Sequence, residues 1–265
     1  MHILLIGCGH MGGSLANGWL SRFDPSALVT VYDPSPALGL ENPRDMQLTT
    51  TSNLADLSGQ EFTHVVFAVK PQQFKEAASA LKETLSDDVV VVSVMAGVSV
   101  EKIHQYLPDV TVVRAMPNLP AKISESMTGL YTDAIIDSDV VESLFTAVGK
   151  VIWLLEEPQI DAMTAAAGSG PGFIFYMMEC YQKAVVQLGF EEAEARDIVV
   201  QTFLGAAQFA GQSKEQFDAL RHQVTSPGGT TEVGLKDLFK SDLPTALAAA
   251  LESASRHGKV LSENS

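Results

Sequence analysis

Ile3-Leu4-Leu5-Ile6-Gly7-Cys8-Gly9-His10-Met11-Gly12 is the stretch on which the fold turns. Four apolar residues in a row, closed by glycine, predict a short strand buried on both faces. The strand runs straight into Gly-x-Gly-x-x-Gly, and a helical pattern follows through Leu15 and Trp19. In that strand–turn–helix setting each glycine has its own task. Gly7 permits the tight turn, Gly9 lets a pyrophosphate approach the backbone, and Gly12 lets the helix pack close to the strand. The helix start then offers unpaired N–H groups and a partial positive charge to phosphates. The loop therefore reads as a dinucleotide site, against the alternative of a tight turn without a ligand. His10 and Met11 lie within it and are counted with the cofactor residues. A histidine here is either a phosphate contact or an exposed loop residue.

Moving outward, Val29–Tyr32 forms a second strand that ends at Asp33, 21 positions beyond Gly12. An acid at that point accepts hydrogen bonds from the ribose hydroxyls of the adenosine and repels a 2′-phosphate. Pro34, Ser35 and Pro36 follow, with no arginine beside them. The expectation is NADH in preference to NADPH; the competing reading is a turn-forming Asp-Pro.

Further strands are expected at His64–Val69, Val89–Val94 and Val110–Arg114, with helices at Gln72–Leu85 and Val100–Leu107. Apolar strands alternating with helices predict an α/β fold, a parallel, doubly wound sheet covered on both faces. Met127–Tyr131 and Val151–Leu155 extend it. In such a sheet the ligand crevice lies at the carboxyl ends of the strands. Lys70, in Val69-Lys70-Pro71, would meet the cofactor or a substrate carboxylate there, unless it is a solvated loop lysine. Ser93-Val94-Met95-Ala96-Gly97 and Arg114-Ala115-Met116-Pro117-Asn118 bring mostly small residues to the same edge, leaving room for a flat ring.

From Glu157 onward no strand is expected. Ile160–Ala167, Phe173–Leu188, Glu191–Ala210, Lys214–Gln223, Thr231–Phe239 and Leu243–Leu261 read as helices, with starts at Ser213-Lys214-Glu215 and Ser241-Asp242-Leu243-Pro244. Domain boundaries of 1–156 and 157–265 follow. Several of these helices are apolar on more than one face, which suggests burial against a second subunit. Two glycine-rich turns, Gly168-Ser169-Gly170-Pro171-Gly172 and Ser226-Pro227-Gly228-Gly229-Thr230-Thr231, open helices and could present amides to an anion; capped interhelical turns are the plainer alternative.

The 265 residues carry a formal charge of −15. A field of that sign repels nucleic acid and anionic lipid, so any phosphate or carboxylate site must be built from local amides and a few cations. Hydrophobic residues make up 46%, enough for buried cores. The longest apolar stretch, Val89 to Val98, is too short for a membrane helix. Two distant cysteines, Cys8 and Cys180, form no metal or redox motif. No metal is expected, and the setting expected is the reducing cytoplasm.

These motifs resemble those of pyrroline-5-carboxylate reductases along nearly the whole chain: Gly7–Gly12, Val69-Lys70-Pro71, Arg114–Asn118, Gly168–Pro171 and, most specific, Val224-Thr225-Ser226-Pro227-Gly228-Gly229-Thr230-Thr231. The resemblance implies a Rossmann-type amino-terminal domain and an all-α dimerisation domain, with homodimers that can assemble into rings. It implies that Thr231 bonds the ring nitrogen of the substrate as the catalytic residue. Gly228, Gly229 and Thr230, in the turn begun by Ser226, would hold the substrate carboxylate. Asn53 would lie near the adenosine, and Ala68, Val69, Lys70, Pro71, Met95, Ala96 and Asn118 would line the NAD(P)H site. Asp33 departs from relatives that carry Ser or Asn there to receive a 2′-phosphate. The implied activity is reduction of 1-pyrroline-5-carboxylate to proline. β-Hydroxyacid dehydrogenases share the glycine loop but need a catalytic lysine about one turn after a glycine-rich turn. After Gly170 the first lysine is Lys183. A nucleotide sensor without activity is the other alternative, against which the intact Gly228–Thr231 stands.

Overall fold

The computed structural model describes residues 1–35 and 39–264; Pro36, in the turn after Asp33, lies outside them. The first unit contains strands β1 (His2–Ile6), β2 (Leu28–Tyr32), β3 (Gln47–Thr51), β4 (His64–Phe67), β5 (Val90–Ser93), β6 (Thr111–Met116), β7 (Ser126–Tyr131) and β8 (Gly149–Trp153). They form one sheet in the order β3-β2-β1-β4-β5-β6-β7-β8. All neighbours are parallel except β6 and β7. The order reverses between β1 and β4, which places the crevice of a doubly wound sheet beside the end of β1.

Alternation along β1 shows how both faces are filled. Ile3 and Leu5 enter a core with Trp19, Val92 and Phe145. Leu4 and Ile6 enter the opposite core with Phe74, Leu81 and Ile103. One face is covered by α1 (His10–Arg22) and α4 (Ser138–Thr146), the other by α2 (Pro71–Leu81) and α3 (Val100–His104). The indole N–H of Trp19 donates to the Leu144 carbonyl at 2.7 Å, so the largest buried side chain leaves no polar atom unpaired. Burying each such apolar side chain contributes about 1.5–3 kcal/mol.

Several expected bounds move. Val69 lies beyond β4, because Pro71 starts α2 and the strand has already ended at Phe67. The polar edge strand β3, Gln-Leu-Thr-Thr-Thr, and helix α4 were not expected. The helix expected over Ile160–Ala167 is α5 (Pro158–Met163) followed by a π-helical turn, Thr164–Gly168.

The second compact unit, Gly170–Leu251, is helical; the first comprises Met1–Ser169 and the chain from Glu252 onward. The second holds α6 (Gly170–Gln187), α7 (Glu192–Gln212), α8 (Phe217–Gln223), α9 (Thr230–Leu238) and the start of α10 (Leu243–Asn264). Ser213 does not start a helix: its hydroxyl accepts from the Glu215 N–H at 3.1 Å, closing a turn, and α8 begins only at Phe217. The buried cluster of this unit is small, centred on Val185, Ala195 and Val199. Phe175, Tyr176, Leu204, Phe209 and Phe217 are exposed. No described helix is long and apolar enough to cross a membrane.

Candidate functional site

The glycine loop leaves β1 at the order reversal. The N–H of Gly7 bonds Tyr32 O at 2.8 Å, and the N–H of Ala68 bonds Ile6 O at 2.8 Å, so the ends of β1, β2 and β4 are tied side by side. The glycines divide as their spacing requires. Gly7 has φ +94°, and a Cβ there would lie 2.9 Å from Ala68 O. A Cβ at Gly12 would lie 2.0 Å from Gly7 O, a contact no side chain survives. A Cβ at Gly9 would meet nothing within 4 Å. Two glycines are thus demanded by the protein and the third faces open space, as a cradle for a pyrophosphate would. His10 is exposed at the start of α1, and Met11 is half-buried.

Asp33 is built into this loop. Its Oδ2 accepts the Cys8 N–H at 2.6 Å and its Oδ1 accepts the Ser35 N–H at 2.8 Å. One carboxylate therefore fixes the glycine loop and the turn after β2, leaving lone pairs for further donors. Burial, and then the Asp33 charge, push the Cys8 thiol up, which makes it a poor nucleophile. Tyr32, Pro34, Leu54, Val69, Gln73, Glu76 and Ala77 line a slot of about 120 Å³ beside Asp33.

The other strand-end residues separate into two kinds. Ala68 and Val69 are half-buried at the crevice, while Lys70 is exposed just before Pro71 opens α2. Asn53 is exposed and caps a short 3₁₀ turn by accepting the Ala55 N–H at 3.1 Å. Met95 is buried in the second core, next to half-buried Ala96. Asn118 is also buried. Its side chain accepts the Met127 N–H at 3.0 Å and donates to Ala167 O at 3.0 Å, tying β7 and the π-helical turn to the end of β6. Its amide thus ties three segments of the first unit together.

In the helical unit the turn Ser226–Thr231 closes through the Gly229 N–H to Ser226 O at 3.0 Å. Gly228 has φ +71°, which a side chain would strain, and a Cβ on Gly229 would lie 2.3 Å from Ser226 Oγ. The turn delivers Thr230 and Thr231 as the first residues of α9. First-turn N–H groups have no intrahelical acceptor. Thr230 and Thr231 are exposed, so their amides and the Thr231 hydroxyl are available.

With this geometry in view, the comparisons are specific. Residues 157–261 match the family model for pyrroline-5-carboxylate reductase dimerisation. Residues 2–97 match that of NADP oxidoreductase coenzyme F420-dependent domains. A pyrroline-5-carboxylate reductase of Pseudomonas aeruginosa is 34% identical over 98% of this chain and 97% of its own. The chain belongs to the pyrroline-5-carboxylate reductase family. An Arabidopsis thaliana member is 33% identical over 98% of this chain and 95% of its own. The solved structure of a Coxiella burnetii pyrroline-5-carboxylate reductase superposes with a TM-score of 0.88 at 34% identity, covering 98% of each chain. As in that family, an NAD(P)-dependent oxidoreductase fold is followed by a dimerisation domain.

Two features of this family member escaped the sequence reading. Arg114 is buried at the end of β6, its Nη1 2.9 Å from Glu157 Oε1 and its Nη2 3.8 Å from Asp161 Oδ1. Glu157 also accepts the Val100 N–H at 2.8 Å, so it joins α5 to α3. Arg114 stood in a quoted motif, but nothing in the spacing named its partners. The second feature is Glu232, whose Oε2 already accepts the Gly228 N–H at 2.6 Å.

Proposed function

We propose that this protein reduces 1-pyrroline-5-carboxylate to L-proline with NAD(P)H, the last step of proline biosynthesis. The family match over almost the full length of both chains carries the reading. Intact Gly228–Thr231 supports an active enzyme over a sensor, and the absence of a lysine between Gly170 and Lys183 weighs against hydroxyacid chemistry.

Gly7, Gly9, His10, Met11 and Gly12 would hold the pyrophosphate, and Asp33, Asn53, Val69 and the slot beside them the adenosine. Ala68, Lys70, Pro71, Met95, Ala96 and Asn118 would shape the nicotinamide end, the last through its bonds to β7 and the π-helical turn. The reduced nicotinamide, when bound, supplies hydride to the imine carbon. The chain's own work is to hold the imino acid in place. The Thr230 amide and, once released from Glu232 and Ser226, those of Gly228 and Gly229 would take its carboxylate in the turn begun by Ser226, with the positive end of the α9 dipole behind them. The Thr231 hydroxyl would bond the ring nitrogen and settle its proton. A protonated imine accepts hydride readily, so no stronger acid is required.

Asp33 supports NADH over NADPH, since its fixed carboxylate would face a 2′-phosphate. The domain division we propose is 1–156 for the cofactor and 157–265 for substrate and pairing. The exposed apolar helices support a homodimer, extended in the fuller reading to a ring of dimers, and two free cysteines fit the reducing cytoplasm. The test is oxidation of NADH and of NADPH, in parallel, by purified protein with pyrroline-5-carboxylate. Oxidation of either upholds the reductase, and the larger kcat/KM should belong to NADH. Bound cofactor with no oxidation would reject the reading.

A further inference from the structure

The carboxylate cradle just described is not vacant of carboxylates. Glu232, the third residue of α9, folds back so that its Oε2 accepts the Gly228 N–H at 2.6 Å. Its Oε1 lies 2.8 Å from the Lys236 ammonium, one turn further along the helix. The Lys236 ammonium, and then the Gly228 N–H, hold the Glu232 carboxyl below the usual range, so it is ionised at neutral pH. The side chain is about a third exposed and Lys236 about two-thirds, so both have room to move.

We infer that Glu232 is a resident stand-in for the substrate carboxylate: it occupies the Gly228 amide in the free enzyme and must swing away before the imino acid can be held there. This rests on the reading of the Gly228–Thr230 amides as the substrate cradle. One N–H cannot make a short bond to two carboxylates, and two carboxylates side by side repel. Displacement costs Glu232 one charge-assisted hydrogen bond, but Lys236 stays within reach and retains the ion pair. Lys236 is thus the parking position for the displaced side chain. The consequence is selective. Weak anions such as sulfate meet an amide that is already satisfied, while a substrate with further contacts at its ring nitrogen can displace the occupant. Product release gains the same internal competitor. Glu232 is in this sense a residue that tunes specificity and release and takes no part in the chemistry.

The test uses the full-length protein, with Glu232→Gln and Glu232→Asp. The first keeps the length and removes the charge; the second keeps the charge but is one methylene too short to reach Gly228. Both should lower KM for pyrroline-5-carboxylate severalfold, with a smaller change in kcat, and both should make turnover more sensitive to inorganic sulfate. A fall in KM for Glu232→Gln alone would mean that only charge matters and would overturn the stand-in. So would unchanged or raised KM in both, the result expected if Glu232 merely caps the helix. A crystal structure with L-proline should show Glu232 off Gly228 and beside Lys236; a retained Glu232–Gly228 bond with proline bound would also overturn it. Wild-type protein that never oxidises NAD(P)H with pyrroline-5-carboxylate would instead reject the underlying reductase reading.

Discussion

The sheet unit and the helical unit differ in how far each satisfies itself. Strands β1, β2, β4, β5 and β6 bury side chains on their faces, and two cores close over them. In the helical unit α6 and α7 close on a cluster of three buried residues, with aromatic and branched side chains left outside. Composition does not distinguish them, since both are apolar. The difference is where the apolar area goes: inward in the first, and outward toward another copy in the second. The cofactor cradle therefore sits on a scaffold that a single chain completes. The turn proposed for the substrate sits on one that leaves apolar side chains exposed.

Substitutions can break that contrast. The largest effect belongs to Gly12→Val, whose Cβ would enter the space of Gly7 O. It should weaken NADH binding by about 100-fold or more, roughly 2.7 kcal/mol, measured by calorimetric titration; near-normal affinity would mean that the loop does not hold the pyrophosphate. Next come paired core and surface changes. Leu5→Ala should cost about 2–5 kcal/mol at any protein concentration. Leu204→Glu should leave the sheet unit intact, yet shift sedimentation toward monomer and make the melting temperature depend on concentration. A concentration-independent loss in both would erase the distinction between the units.

Smaller effects sharpen the site. If Thr231 bonds the charged ring nitrogen as proposed, Thr231→Ala removes a hydrogen bond worth about 1.5–3 kcal/mol, so kcat should fall about 10- to 100-fold while KM for NADH barely moves. Equal loss of both would deny Thr231 its role. Asp33→Ser should move the NADPH-to-NADH ratio of kcat/KM upward by about tenfold, near 1.4 kcal/mol. No change would mean that Asp33 serves only Cys8 and Ser35.

Much of the first unit was legible because its signals are local. Ile3–Gly12 carries strand, turn and helix start within ten residues, and the strand periods of β4 to β6 stand out against their glycine and proline boundaries. What escaped depends on distant partners. The edge strand β3 is polar because its side chains are exposed or only half-buried, so Gln47–Thr51 lacks the apolar run that marked the others. Asn118 entered the cofactor set through the family resemblance; the fold adds that its amide bonds Met127 and Ala167, 9 and 49 positions away. Glu232 did leave a trace, since a glutamate three residues past a helix cap is the spacing of a capping box. That spacing did not say that the N–H it seeks belongs to the substrate turn.

The most direct test of the whole account is a balance of products. Protein incubated with pyrroline-5-carboxylate and limiting NADH should form one L-proline for each NADH oxidised, read by amino-acid analysis beside the loss of cofactor absorbance. One-to-one formation is the predicted result. NADH consumption without proline, or bound cofactor that is never oxidised, would contradict it.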